Sequence, residues 1–336
     1  MRPAGRAAPT RQKDVITVGD FSDQAAHLQR EWQTGQRWAG IQRDYRAEDV
    51  IRRRGASTGD HARARRGARR LWELLGHQDS GHQYVVQARG AVTGDRAVQV
   101  VEDGQRTIRL AAQPGLGRGQ DAYALMTAMI EAGAAGVHFE DRLPAPAGSG
   151  PAGDRVLVPT GEHIETLTAA RFAADVLDVP ALVIARTYAH EASLLASDAD
   201  ERDHEFLTGE RTADGHHRVQ PGLYARVTRA LAFAPYADLL WLETSTPNLA
   251  EARTFADIIY SQYPGQLLAY SCAPAFDWAG LDAESIAWFT GELAAIGYRF
   301  QLVPNSTRPQ PSTRPRPAFE PATKEAPVLV GATALG

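Results

Sequence analysis

Seven short runs of β-branched and aromatic residues recur along this chain, separated by longer stretches with helical spacing. The runs predict strands over 84–91, 107–112, 137–141, 181–187, 238–244, 267–272 and 299–303. Between them the apolar residues fall at helical intervals. Ile164, Leu167, Ala170, Ala174 and Leu177 share one face, as do Ile286, Phe289, Leu293 and Ile296. Asp282 is placed to start the second of these helices and Gly297 to end it. Asn248 and Glu251 have the spacing of a capping box ahead of Ala252, Phe255 and Ile259. Strand–helix alternation of this kind predicts an α/β protein with a parallel sheet, and at 336 residues a β/α barrel of the TIM type leads. A doubly wound sheet is the alternative, but no glycine fingerprint follows the first strand. The segment "PGLGRGQ" at 114–120 lacks that spacing and reads as a flexible loop.

Composition narrows the chemistry. The net charge of −4 gives no electrostatic reason to expect nucleic acid or an anionic membrane as partner. No apolar run reaches membrane-spanning length. The start, "MRPAGRAAPTRQK", lacks the apolar core of a signal peptide, and a cytoplasmic protein is expected. One cysteine, Cys272, allows no disulfide within the chain. The only lysines are Lys13 and Lys324, which removes Schiff-base chemistry and a phosphate-loop lysine from everything between them. Three segments are expected: a disordered tail over 1–20, a barrel over 21–303 that opens with helices over 21–80, and a Pro-rich disordered tail over 304–336.

In a β/α barrel, function gathers where strands end. Those ends carry Ala111-Ala112, Glu140-Asp141, Arg186-Thr187, Glu243-Thr244 and Ser271-Cys272. Glu140, Arg186 and Glu243 are expected to converge on one mouth. Two acids and a guanidinium suit a metal–carboxylate substrate, and they equally suit a structural ion-pair network. His190, just past Arg186, is a candidate acid or base and otherwise a surface residue at a helix start. Cys272 either faces the mouth or is inert in the core. His204, His216 and His217 lack metal-ligand spacing and read as loop residues.

Longer stretches bring a resemblance. "VLVPTGEHIETLTAARFAADVLDVPALVIART", "SDADERDHEFLTGERTADG", "APYADLLWLETSTPNLAEA", "YPGQLLAYSCAPAFDW" and "REWQTGQRWAGIQRDYRAEDVIRRRG" strongly resemble the isocitrate lyase family. The resemblance spans about 29–303. It implies a modified barrel with extra N-terminal helices and magnesium-dependent cleavage of isocitrate to glyoxylate and succinate. It implies metal-site roles for Glu140 and Asp141, and substrate-binding roles for Arg186, Glu243 and Ser271.

The departures from the family pattern matter as much. The family's K-K-C-G-H loop, which holds the proton donor, should follow "HFEDR", and the sequence there is "LPAPAGSGPAGDR". The family's S-G-W reads Ala111-Ala112-Gln113. Its N-C-S-P-S reads "SCAPA", with Ser271, Ala273 and Ala275 substituted. The Asp after I-A-R-T is Tyr188, and the Thr expected after the last strand reads as Val303 or Pro304. "AVQVVEDGQRTIRLAAQP" lies where the family has its first helix and second strand. The next recognisable piece, "DAYALMTAMIEAGAAG", is the helix after the third strand, so one βα unit is missing. Seven recognisable strands, with a gap or strained closure between 107–112 and 137–141, are therefore expected. Magnesium binding is expected to be weak or lost, and isocitrate cleavage lost or strongly impaired. The alternative is an active lyase or hydrolase on another small carboxylate. A homo-oligomer remains possible, although the family's C-terminal helical clasp is not found in 304–336.

Overall fold

The computed structural model describes residues 18–54, 61–76, 78–79, 82–83, 86–93, 96–103, 106–113, 122–144, 155–272 and 278–302. Both expected tails fall mainly or wholly outside these residues, as do most of the spacer after Arg142 and the segment 114–120.

The described residues form two compact units. The first comprises 18–39 and 45–54, with helices α1 (Val18–Thr34) and α2 (Ala47–Arg54). Trp32 meets the Tyr45 ring edge-on at 6.0 Å within it. The second comprises 40–44 and 61–302, and begins with α3 (Ala62–Gly76). The helical segment expected over 21–80 is thus divided between them.

The second unit is a closed barrel of eight strands. In chain order they are β1 (Val86–Thr93), β2 (Arg96–Asp103), β3 (Arg106–Gln113), β4 (Gly136–Glu140), β5 (Leu182–Arg186), β6 (Leu239–Thr244), β7 (Leu267–Cys272) and β8 (Tyr298–Leu302). All seven expected strands form, and they run parallel to one another. Two expectations need correction. Residues 96–103, where the resemblance places a helix, are a strand antiparallel to both neighbours, pairing Val98 with Ala91 and with Ala111. No gap follows β3 either, because Leu110 to Gln113 pair in parallel with Gly136 to Phe139. The missing unit leaves no open edge: an inserted antiparallel strand completes the ring and satisfies the backbone groups an edge would expose.

Helices α4 (Ala122–Glu131), α5 (Thr160–Val176), α6 (Leu223–Phe233), α7 (Leu249–Gln262) and α8 (Ala283–Ile296) clothe the wall. The predicted α5 face is buried from Ile164 to Leu177. Asp282 accepts Ser285 N–H at 2.7 Å as the N-cap of α8, and Gly297 ends that helix at φ 124°, a conformation that favours glycine. Asn248 caps α7 by accepting Glu251 N–H at 3.0 Å. The box is not reciprocal: Asn248 N–H donates to the Tyr270 hydroxyl at 3.2 Å, and Glu251 pairs with Arg226 instead.

A strand's period of two sorts its side chains between barrel interior and helical layer. His138 and Trp241, from strands separated by β5, meet at 5.1 Å, and Trp241 meets Phe300 at 5.8 Å, so this set points inward. Tyr270 packs outward against Phe289 of α8 at 5.6 Å. Three short strands between β5 and α6 join one between β4 and α5 in a small sheet, ordered Leu207–Arg211, His217–Val219, Leu194–Leu195 and Val156–Leu157.

Candidate active site at the barrel mouth

The inward phase of β4, β5 and β6 brings Glu140, Arg186 and Glu243 together, with Glu140 in register with Arg186. Arg186 lies between the two acids, its Nη2 2.6 Å from Glu243 Oε1 and its Nη1 3.2 Å from Glu140 Oε1. Nη2 also donates to the Tyr188 hydroxyl at 2.5 Å. Ser271 Oγ donates to Glu243 at 3.0 Å and accepts Trp241 Nε1 at 2.9 Å, which fixes that carboxylate from its other side. Arg142 Nε donates to Glu140 at 2.8 Å. Burial works against the Arg186 charge, yet Glu243, Tyr188 and Glu140 together hold its pKa above the ordinary guanidinium value. Burial pushes the Tyr188 hydroxyl up to about 12, so it stays a neutral donor. Its ring lies under three guanidinium groups, Arg186 and Arg155 at 4.7 Å and Arg142 at 4.9 Å.

Asp141 takes the other phase and leaves the mouth. It is fully buried and accepts Thr187 Oγ1 at 2.6 Å, Tyr188 N–H at 2.9 Å and Arg229 Nε at 2.8 Å. Arg229 continues to Asp203 at 2.6 Å and to the Val158 carbonyl at 2.6 Å. Asp203 in turn accepts the backbone N–H and the hydroxyl of Thr160, at 2.7 and 2.6 Å, where α5 begins. Glu140 and Asp141 therefore belong to different centres.

His190 lies beyond the Arg186 cluster, its ring 6.3 Å from that of Tyr188. Burial, with the charges of Arg226, Arg186 and Arg155, lowers its pKa to about 2, so the ring is neutral. Its Nε2 is 3.1 Å from Glu191 Oε1 but lacks the alignment of a hydrogen bond, and both ring nitrogens are buried without a partner. Cys272 falls in the outward phase of β7, 3.7 Å from the Tyr270 hydroxyl rather than in the mouth. Burial raises its thiol to about 12. His204 Nε2 donates to the Asp198 carbonyl at 2.8 Å, and His217 lies 3.4 Å from the Asp198 carboxylate.

The mouth is a poor fit to magnesium among the described residues. No group of three or more His, Cys, Asp or Glu side chains comes together to hold a metal. Magnesium demands near-octahedral oxygen ligands, whereas the two acids here, Glu140 and Glu243, have a guanidinium between them.

The isocitrate lyase family model matches residues 94–212 and 209–307. The chain belongs to the isocitrate lyase family. The isocitrate lyase of Corynebacterium efficiens is 38% identical, covering 83% of this chain and 79% of that one. That of Escherichia coli is 40% identical over 84% of this chain and 80% of its own. Isocitrate lyase 1 of Mycobacterium tuberculosis is 39% identical over 83% and 79%. The first alignment runs over 342 residues, longer than this 336-residue chain, although 83% of the chain enters it. Internal stretches of the relative thus have no counterpart here. Among solved structures, a 2,3-dimethylmalate lyase aligns with a TM-score of 0.36 and 18% identity, covering 57% of this chain and 51% of that one. No helix among the described residues is long and apolar enough to cross a membrane.

Sequence reading missed Arg142, Arg155, Trp241 and Arg226. For Trp241 the signal was available, since it is two residues before Glu243 in a strand and must share its face.

Proposed function

We propose that this barrel does not cleave isocitrate, and that its mouth charges serve the fold as a closed network. The observation that carries this reading is the state of Arg186, whose two terminal nitrogens are occupied by Glu243, Glu140 and Tyr188. A substrate carboxylate would need that guanidinium, and a magnesium ion would need those glutamates. Retro-aldol cleavage also needs a proton donor for the carbanion-like product. Cys272, the chain's one thiol, faces the helices and keeps its proton. The sequence that replaces the family's donor loop, "LPAPAGSGPAGDR", contains no thiol and no histidine. Losing groups that act as a unit removes catalysis together rather than by increments. In this reading the protein persists as a non-catalytic partner or regulator, with magnesium weakly held or not held. Purified protein supplied with Mg²⁺ and isocitrate is expected to release glyoxylate only at background rate. Turnover in the ordinary enzyme range, about 1 to 1,000 per second, overturns the proposal and restores a lyase.

A further inference from the structure

One buried cation in the barrel unit is left half-satisfied. Arg226, in the first turns of α6, is 1% exposed. Its Nη1 pairs with Glu251 at the start of α7, while its Nε and Nη2 are buried without a hydrogen-bond partner. These two nitrogens share one edge of the guanidinium. It is the same edge with which Arg202 grips both oxygens of Asp200, at 2.9 and 2.6 Å. That edge matches a carboxylate in geometry and in charge. His190 follows Ala189, whose carbonyl accepts Gly222 N–H at 3.1 Å where α6 begins; both its ring nitrogens are buried without a hydrogen-bond partner, Glu191 lying 3.1 Å from Nε2 but out of line. Donors collected without acceptors in a buried place call for an anion or for water.

We propose that the open edge of Arg226, with His190 beside it, is a binding site for a small free carboxylate, set behind the ends of β5 and β6 between the first turns of α6 and α7. It uses neither Glu140 nor Glu243, and it is independent of whether isocitrate is cleaved. The anion's two oxygens meet Nε–H and Nη2–H, and the neutral imidazole donates one further hydrogen bond. Burial already lowers the Arg226 pKa, with Glu251 opposing that shift incompletely, and a second anion completes the compensation.

The test is calorimetric titration of the full chain with malonate at constant ionic strength, with chloride as control. The parent is expected to bind malonate saturably and chloride not at all. Arg226→Lys keeps the charge and removes the fork, and is expected to weaken binding at least tenfold. Arg226→Met is expected to abolish it, and His190→Phe to weaken it severalfold, with far-UV circular dichroism showing that each variant is folded. Absence of saturable binding by the parent overturns the site. So does parent-like affinity in Arg226→Lys and Arg226→Met, and so does a crystal structure in malonate that shows only water on the Nε/Nη2 edge. Glyoxylate release reads the proposed function separately, so either conclusion can fall while the other stands.

Discussion

Adjacent acids in one strand end lead to two arginine centres of opposite character. Asp141 feeds the wall centre, where Arg229 places Nε on Asp141, Nη1 on Asp203 and Nη2 on a carbonyl, all three residues being 3% exposed or less at the side chain. Glu140 feeds the mouth centre, where Arg186 keeps 10% exposure and one unpartnered nitrogen, Nε. Both centres join elements distant in sequence. The wall centre ties β4, α5, α6 and the turn at 201–206 with every donor used. The mouth centre joins β4, β5, β6 and β7, with Arg142, Arg155 and Tyr188 packed around it. A fully satisfied buried network rigidifies the geometry it spans, whereas an incompletely satisfied one contributes less.

The comparison breaks most visibly at Arg229. Arg229→Met strands Asp141 and Asp203 in the wall, and urea unfolding is expected to show a loss of about 3–5 kcal/mol. Arg186→Met at the mouth is expected to cost less, about 2 kcal/mol, because water reaches Glu140 and Glu243 more easily. Equal losses at the two positions would erase the distinction between the centres.

Acid sharpens it next. His163, on α5 against Phe233 at 4.6 Å, is held by burial at about 4, with Asp141 opposing and Arg229 reinforcing that shift. The folded state keeps this ring neutral where the unfolded chain protonates it near 6.5. Its contribution is therefore complete above about pH 6.5 and lost as pH falls toward 4. At pH 5 the expected loss from this residue is roughly 2 kcal/mol, at about 1.4 kcal/mol per pH unit. His138, lowered to about 3 by burial and then by Arg186, acts in the same direction at the mouth. Unfolding curves for His163→Phe that fall with acid as steeply as the parent's would contradict this. The smallest effect lies away from both centres: Asp282→Ala removes the α8 cap and is expected to cost about 1 kcal/mol by thermal unfolding.

Much of this architecture was legible in sequence, and the misses have identifiable causes. Strands β4 to β7 announced themselves because strands buried on both faces need near-continuous apolar runs. Strand β2 was missed because the resemblance placed a helix there. Local chemistry argued otherwise: Val98, Val100 and Val101 are β-branched, and the glycine-led dipeptides Gly94-Asp95 and Gly104-Gln105 on either side are sequence signals for tight turns. At the site, period two could assign Glu140, Arg186 and Glu243 to one mouth. The same rule separates Asp141 from Glu140 and turns Cys272 outward, and applying it strictly corrects the pairing of the two acids. Arg226 and Arg229, three residues apart on one helix, were not distinguishable from sequence. Whether a guanidinium finds one partner or three depends on residues far away in the chain.

The central claim is that the mouth charges hold one another. A double-mutant cycle on Arg186 and Glu243, measured by urea unfolding of Arg186→Ala, Glu243→Ala and the double variant, tests it most directly. The account predicts that both single variants lose stability and that the double loses less than their sum, with a coupling of about 1–3 kcal/mol. Single variants that unfold like the parent, or losses that simply add, would contradict it.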